Sequence, residues 1–302
     1  MRDSVIKGTS STLRFALVSC GVAAETARVR WGVKNPGASA LLGKALAASS
    51  LLACFLKGEE RLQLHWLSGG AGAALSEIYV EAMPVGEVRG YVRGEALAKE
   101  EWGGWDGTLG REGVFSVGRA LYGSQELQRS TLEFARGDIT SEIESYYERS
   151  EQRASSVRLD ATVEASGGAV RACTGMLLEA LPEEGGLKGA GGGQPQCTFE
   201  ALSGKLRGSE SPWPPGLDAP AAALAIAPSL QWGRRVPLDY FCRCTTDGFF
   251  TKLVGSCSPA LLQQLVEESV DGVAATLHCH FCNKSHKVDK TRLEAALLGK
   301  GA

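Results

Sequence analysis

Apolar residues run almost without break from Ala38 to Leu56 (ASALLGKALAASSLLACFL), with Lys44 the single charge among them. A run of that length and density predicts a buried core helix that gives out at Lys57-Gly58. Alternation takes over in Leu62–Trp66, Ser76–Val80 and Val88–Val92, which read as antiparallel strands with one wet face. Leu13–Ala24 reads as the first strand of the same domain, and Ser156–Leu159 and Gly175–Pro182 as later ones. Between them Gly137–Glu151 predicts a helix with Asp138 as N-cap and Ile143, Tyr146 and Tyr147 facing inward. Residues 98–125, rich in glycine, tryptophan and charge, read as loop. The sum is an α+β domain of mixed sheet and helix over residues 1–182.

After Pro182 the pattern breaks down. Residues 183–238 carry Gly-Gly and Gly-Gly-Gly runs and Ser-Pro-Trp-Pro-Pro, with helical segments only near Thr198–Leu206 and Ala219–Ile226. This predicts a metastable, partly helical linker. Its Leu206, Trp213, Trp232 and alanine clusters give it apolar surface that can dock reversibly, which a pure spacer does not need. Residues 239–302 then form a small third domain. Thr245 caps a helix ending near Gly255, Ser258-Pro259 starts a second to about Ser269, and Asp289 a third ending at Gly299. Ala274–His278 reads as a strand.

Composition narrows the class. At 302 residues, 44% hydrophobic and 22% charged, the chain has room for one sizeable core and a satellite domain. It contains no run of 18 apolar residues, and the one signal-like stretch, Leu13–Ala24, is interrupted by Arg14. A membrane partner is therefore not expected, and the cytoplasm is the expected location, or an organelle matrix or stroma if a presequence is missing. A net charge of −2 gives no general attraction to nucleic acid. The nine cysteines, an odd number, favour a reducing compartment over a disulfide framework. Cys20, Cys54 and Cys173 sit in apolar segments and read as core; Cys197 and Cys257 are candidates for exposed thiols.

Four of the nine carry the chemistry. Cys242-Arg-Cys244 and Cys279-His-Phe-Cys282, with thirty-four residues between them, offer two thiolates each, the donor set of a tetrahedral Zn²⁺ site. The third domain is too short to bury much core, so bound zinc should hold its fold, with roughly 10–16 kcal/mol available. With the metal gone each pair can also close on itself, and the ring through Cys242 and Cys244 would be strained and easily reduced. The spacing alone fits a permanent structural staple as well as a thiol switch. His65 reads as an exposed strand residue without a carboxylate partner, and His278, His280 and His286 as surface residues.

Taken together, Ala40-Leu-Leu-Gly-Lys-Ala-Leu46 with Leu56-Lys57, Val88-Arg-Gly-Tyr-Val92, Tyr146-Tyr-Glu-Arg-Ser-Glu-Gln152, Leu177-Leu-Glu-Ala-Leu-Pro182 and the two cysteine pairs resemble the heat-shock protein 33 family of redox-regulated 33 kDa chaperonins, over nearly the whole chain. The resemblance implies a substrate-binding domain, a metastable linker and a zinc domain. It implies an ATP-independent holdase for unfolding client proteins, not an enzyme and without catalytic residues. Such a protein is inactive and monomeric when reduced with zinc on Cys242, Cys244, Cys279 and Cys282. Oxidation would pair Cys242 with Cys244 and Cys279 with Cys282, release zinc, unfold zinc domain and linker, and permit a homodimer. Two departures stand out: a glycine-rich linker, which should unfold more readily, and His286 where the family typically has an aromatic residue.

Two other classes compete on the residues alone. A zinc ribbon that binds nucleic acid is disfavoured by the seven basic and seven acidic residues from Asp239 onward. A thiol-disulfide oxidoreductase would place Cys279 at a helix N-terminus, whereas Asn283-Lys-Ser-His286 follows the pair and no helix start appears before Asp289.

Overall fold

The computed structural model describes residues 2–70, 73–100, 109–121, 127–181 and 198–300. Cys197 and most of the glycine-rich start of the linker lie outside these. The described chain divides into two compact units, Met1–Phe241 and Cys242–Ala302.

The first unit holds two six-stranded sheets. One runs in the order β10-β1-β2-β9-β8, from β1 (Ser4–Thr9), β2 (Leu13–Ser19), β8 (Ser155–Val163), β9 (Val170–Ala180) and β10 (Gln231–Trp232), with β11 (Val236–Pro237) also on β1. The other runs β12-β5-β4-β3-β6-β7, from β3 (Arg61–Ser68), β4 (Glu77–Ala82), β5 (Glu87–Arg93), β6 (Gly113–Ala120), β7 (Leu127–Glu133) and β12 (Asp239–Tyr240). The apolar run expected to be a core helix is α2 (Pro36–Ala53), which packs against both sheets and is buried along nearly its whole length. Proline at its first position and Asn35, whose side chain accepts the Gly37 and Ala38 amides, set its start.

Sequence and structure part company in three places here. Leu13–Ala24 is the second strand and then the opening of α1 (Gly21–Trp31), not the first strand. That helix escapes notice because Cys20 makes no side-chain cap and its buried residues are only Ala23, Ala24 and Ala27. The loop expected over residues 98–125 contains β6, whose Phe115 and Val117 turn into the core beside Trp66. His65 does have a carboxylate partner, Glu77 at 2.9 Å, delivered by the neighbouring antiparallel strand rather than by sequence proximity.

Strand pleating gives the first sheet two apolar faces. One packs on α2, where a Cβ on Gly175 would meet Leu51. The other, carrying Ile6, Leu13, Phe15, Leu17, Met176 and Leu178, is covered by the linker helices α4 (Phe199–Arg207) and α5 (Ala219–Ile226) through Leu202, Leu206, Ala222, Ala223 and Ile226. Both helices carry side-chain caps: Thr198 accepts the Ala201 amide and Asp218 the Ala221 amide. The Trp232 ring lies flat over Gly8, where a Cβ would come within 2.7 Å of it. At the other sheet, β12 adds to β5 in parallel, and Gly86, at φ +89°, leaves room for the Pro237 carbonyl.

The Ser150-Glu-Gln152 element has a structural reading. Helix α3 (Ile139–Tyr146) continues into a wider turn over Tyr147–Glu151, and Gln152, at φ +54°, reverses the chain into β8. Arg153 then reaches Glu179, a fully buried carboxylate also held by Arg14 at 2.6 and 2.9 Å. Removing Glu179 leaves two half-buried guanidiniums without their counter-charge. Glu179→Ala is therefore expected to lower stability by about 3 kcal/mol, measured by urea unfolding with an unchanged denaturant slope.

Candidate metal centre

The second unit has a core of only five buried apolar residues, Leu262, Val266, Ala274, Val288 and Leu293. It consists of α6 (Thr246–Ser256), α7 (Pro259–Glu267), the hairpin of β13 (Val273–His278) and β14 (Ser285–Asp289), and α8 (Lys290–Lys300). All three expected caps form: Thr245 accepts from Gly248, Ser258 from Leu261 and Asp289 from Arg292. They fix where each helix begins, but α6 buries no residue fully. Phe250, Leu253 and Val254 of α6 lie only partly buried against that core, which leaves a place for a further tie.

Two short stretches supply it. Cys242 and Cys244 lie on irregular chain immediately ahead of α6. Cys279 and Cys282 sit on the tip of the hairpin, where Asn283, at φ +55°, turns the chain and its amide bonds the Cys279 carbonyl at 2.8 Å. The Cys279 amide in turn donates to the Lys284 carbonyl at 2.9 Å. The four sulfurs all lie within 4.8 Å of one another, buried at the hairpin tip and half-buried before α6.

Their spacing suits a tetrahedral cation. With metal–sulfur bonds of 2.3 Å a regular tetrahedron has edges of about 3.8 Å. Two of the separations are 3.7 Å for Cys242 to Cys279 and 3.6 Å for Cys244 to Cys282. Both run across the pairs rather than within them, so the cluster crosslinks α6 to the hairpin. The donor set points the same way. Burial first, then the adjoining Cys282 and Cys242 sulfurs, push the Cys244 thiol far above its ordinary range, and burial raises that of Cys282. Thiols crowded like this keep their protons unless a cation displaces them.

One neighbour was misread from sequence. His286 is not a surface residue: it is 1% exposed, stacked on Phe249 with ring centroids 4.6 Å apart. Its Nε2 lies 3.3 Å from Cys244 Sγ and its Nδ1 3.2 Å from Thr246 Oγ1. Burial, with Lys284 nearby, holds its pKa below the usual imidazole value. A signal was available, since His286 shares its strand face with the apolar Val288. His278 and His280 are exposed, as expected. Cys20, Cys54 and Cys173 are buried, and Cys257 is half-buried against the small core.

Among the described residues no helix is long and apolar enough to cross a membrane. The fold matches a crystal structure of a 33 kDa chaperonin, a heat shock protein 33 homolog, from Thermotoga maritima, with a TM-score of 0.80 at 20% identity over 100% of this chain and 99% of that one. Among sequence relatives, a 33 kDa chaperonin of Desulforamulus reducens is 26% identical, with 98% of each chain covered. One from Geobacillus kaustophilus is 28% identical over 86% of this chain and 85% of its own. The family model described as Hsp33 protein matches residues 3–289. With that match spanning nearly the whole sequence and ending beyond the four-sulfur cluster, the chain belongs to the Hsp33 family.

Proposed function

We propose that this protein is a redox-regulated, ATP-independent chaperone that holds unfolding proteins under oxidative stress and catalyses no reaction. The observation that carries the reading is the convergence of four cysteine sulfurs in a unit whose apolar core is too small to hold it. Cys242, Cys244, Cys279 and Cys282 would hold Zn²⁺, which when bound supplies the crosslink and the charge that keeps four thiolates together. Oxidation of Cys242 with Cys244 and of Cys279 with Cys282 removes all four donors at once. Each disulfide joins residues on the same stretch of chain, so neither replaces the crosslink between α6 and the hairpin.

The second half of the switch lies in the linker, residues 183–238, which we treat as separate in function from residues 1–182 and 239–302. Its helices α4 and α5 cover an apolar sheet face, and polar contacts to it among the described residues run from Arg158 to the Leu206 and Gly208 carbonyls, from Ser211 to Asp160, and from Arg207 to the Ser155 carbonyl and Glu144. Loss of the linker would bare that face to clients. That the relatives are 33 kDa chaperonins supports the chaperone reading. Monomer when reduced, homodimer when oxidised, and a cytoplasmic location complete the proposal.

The test is light scattering from a chemically unfolded client diluted into buffer. Protein treated with peroxide under mild heat should suppress aggregation, and reduced, zinc-loaded protein should not. Equal failure of both forms, with the protein folded, would overturn the reading.

A further inference from the structure

The mechanism proposed above makes no use of His286, yet the fold places that imidazole with unusual care. It rises from β14 into a closed space, is stacked on Phe249 of α6, and faces Cys244 with one ring nitrogen and Thr246 with the other. Three contacts fix the ring in position and plane. What they leave open is which nitrogen carries the proton.

The chemistry of the sulfur decides it. A cysteine that ligates a metal is a thiolate, an acceptor without a proton. Only an Nε2–H can then make a favourable 3.3 Å contact with Cys244 Sγ, and in a neutral ring that leaves Nδ1 bare. A bare Nδ1 needs a donor, and the Thr246 hydroxyl, 3.2 Å away, is one. The relay Thr246 O–H to Nδ1 and Nε2–H to Cys244 Sγ is self-consistent with neutral histidine. A second partner that fixes tautomer and orientation is the usual device by which proteins tune a metal ligand.

We propose that His286 is a positioning residue that donates a hydrogen bond from Nε2 to the Cys244 thiolate and thereby slows its oxidation and its release of zinc. The inference rests on the zinc reading above. Peroxide oxidation begins when a thiolate lone pair attacks one peroxide oxygen. The O–O bond breaks, hydroxide leaves, and the sulfur becomes a sulfenic acid. The partner thiolate then attacks that sulfur, forms the S–S bond and expels a second hydroxide, so two thiolates are oxidised for one peroxide reduced to two hydroxides. Whichever cysteine of the Cys242–Cys244 pair reacts first, Cys244 Sγ is the nucleophile in one of the two steps, toward peroxide if it is oxidised first or toward the Cys242 sulfenic acid if second. An N–H bond withdraws density from the thiolate and occupies one approach to it.

The experiment uses the full-length, zinc-loaded protein with hydrogen peroxide as oxidant. In ¹⁵N-histidine-labelled wild type, NMR should show His286 as the Nε2–H tautomer, with Nδ1 unprotonated. His286→Phe keeps the stacking ring but has no donor, and should yield zinc to a competing chelator about tenfold more readily than wild type. Its peroxide-driven zinc release, followed with a colorimetric chelator, should be faster by a similar factor. His286→Gln, whose side-chain amide can donate from a similar position, should restore most of the difference. Equal acceleration in both variants would show that packing rather than donation matters and would overturn the proposal, as would zinc release at the wild-type rate in His286→Phe. If His286→Phe fails to fold, the tautomer in wild type still decides: Nδ1–H in the zinc-loaded protein would sink the idea. A wild-type protein that binds no zinc would instead refute the metal site on which the inference stands.

Discussion

Replacing Cys282 with serine in the full chain is expected to unfold the second unit while leaving the first intact. The argument is one of magnitude. A unit of this size seldom gains more than about 3–5 kcal/mol from its apolar core, and here that core is five side chains. Structural zinc contributes roughly 10–16 kcal/mol to comparable peptides. Serine does not ionise at neutral pH, so the variant loses one of four ligands, and the remaining apolar packing cannot hold α6 against the hairpin. Zinc content should fall from about one per chain to near zero. Backbone amides of β13, β14 and α6 should lose exchange protection, while those of α2 and β9 keep theirs. A chelator strong enough to strip zinc should give the same pattern in the unmodified chain. Zinc loss with retained protection in the second unit would show that its core suffices, and the switch would lose its physical basis.

The second large effect is expected at the linker. Leu202 and Leu206 are at most 2% exposed and cover the sheet face that includes Phe15, Leu17, Met176 and Leu178. Truncating buried leucines to alanine costs about 2–5 kcal/mol each. In the double variant Leu202→Ala, Leu206→Ala that loss falls mainly on the docking of α4, because α2 holds the opposite face of the same sheet independently. The reduced, zinc-loaded variant should therefore bind an apolar dye and suppress client aggregation without any oxidant. Exchange protection should be lost in α4 and retained in β2 and β9. If α4 detaches and aggregation is not suppressed, this sheet face is not the client surface, whatever the cysteines do.

Much of the architecture was legible from local pattern. The Ala38–Leu56 run, the alternating strands at 62–66, 76–80 and 88–92, and the helix starts at Asp138, Thr245, Ser258 and Asp289 all correspond to elements and N-termini in the structure. These signals act over a few residues and need no partner elsewhere in the chain. What escaped lacked such a signal. Strand β7 (LQRSTLE) is an edge strand with mostly polar side chains, held by its ladder to β6. Helix α1 has no side-chain cap, and alanines face its core. His65 and His286 were both misjudged for one reason: their partners, Glu77 and Cys244, come from other elements.

By itself the sequence determined the class of fold, the family, and the four cysteines whose sulfurs come together. Each of these depends on residue type and on spacing along one stretch of chain. Only the tertiary structure decided that the linker helices cover one particular face of the first sheet, that β12 adds in parallel to β5, and that sulfur contacts of 3.6 and 3.7 Å cross between the pairs. It also decided that His286 turns inward to Cys244. Register, facing and pairing are set by contacts between residues 37 to 150 or more positions apart, and their free energies exist only once both partners are in place.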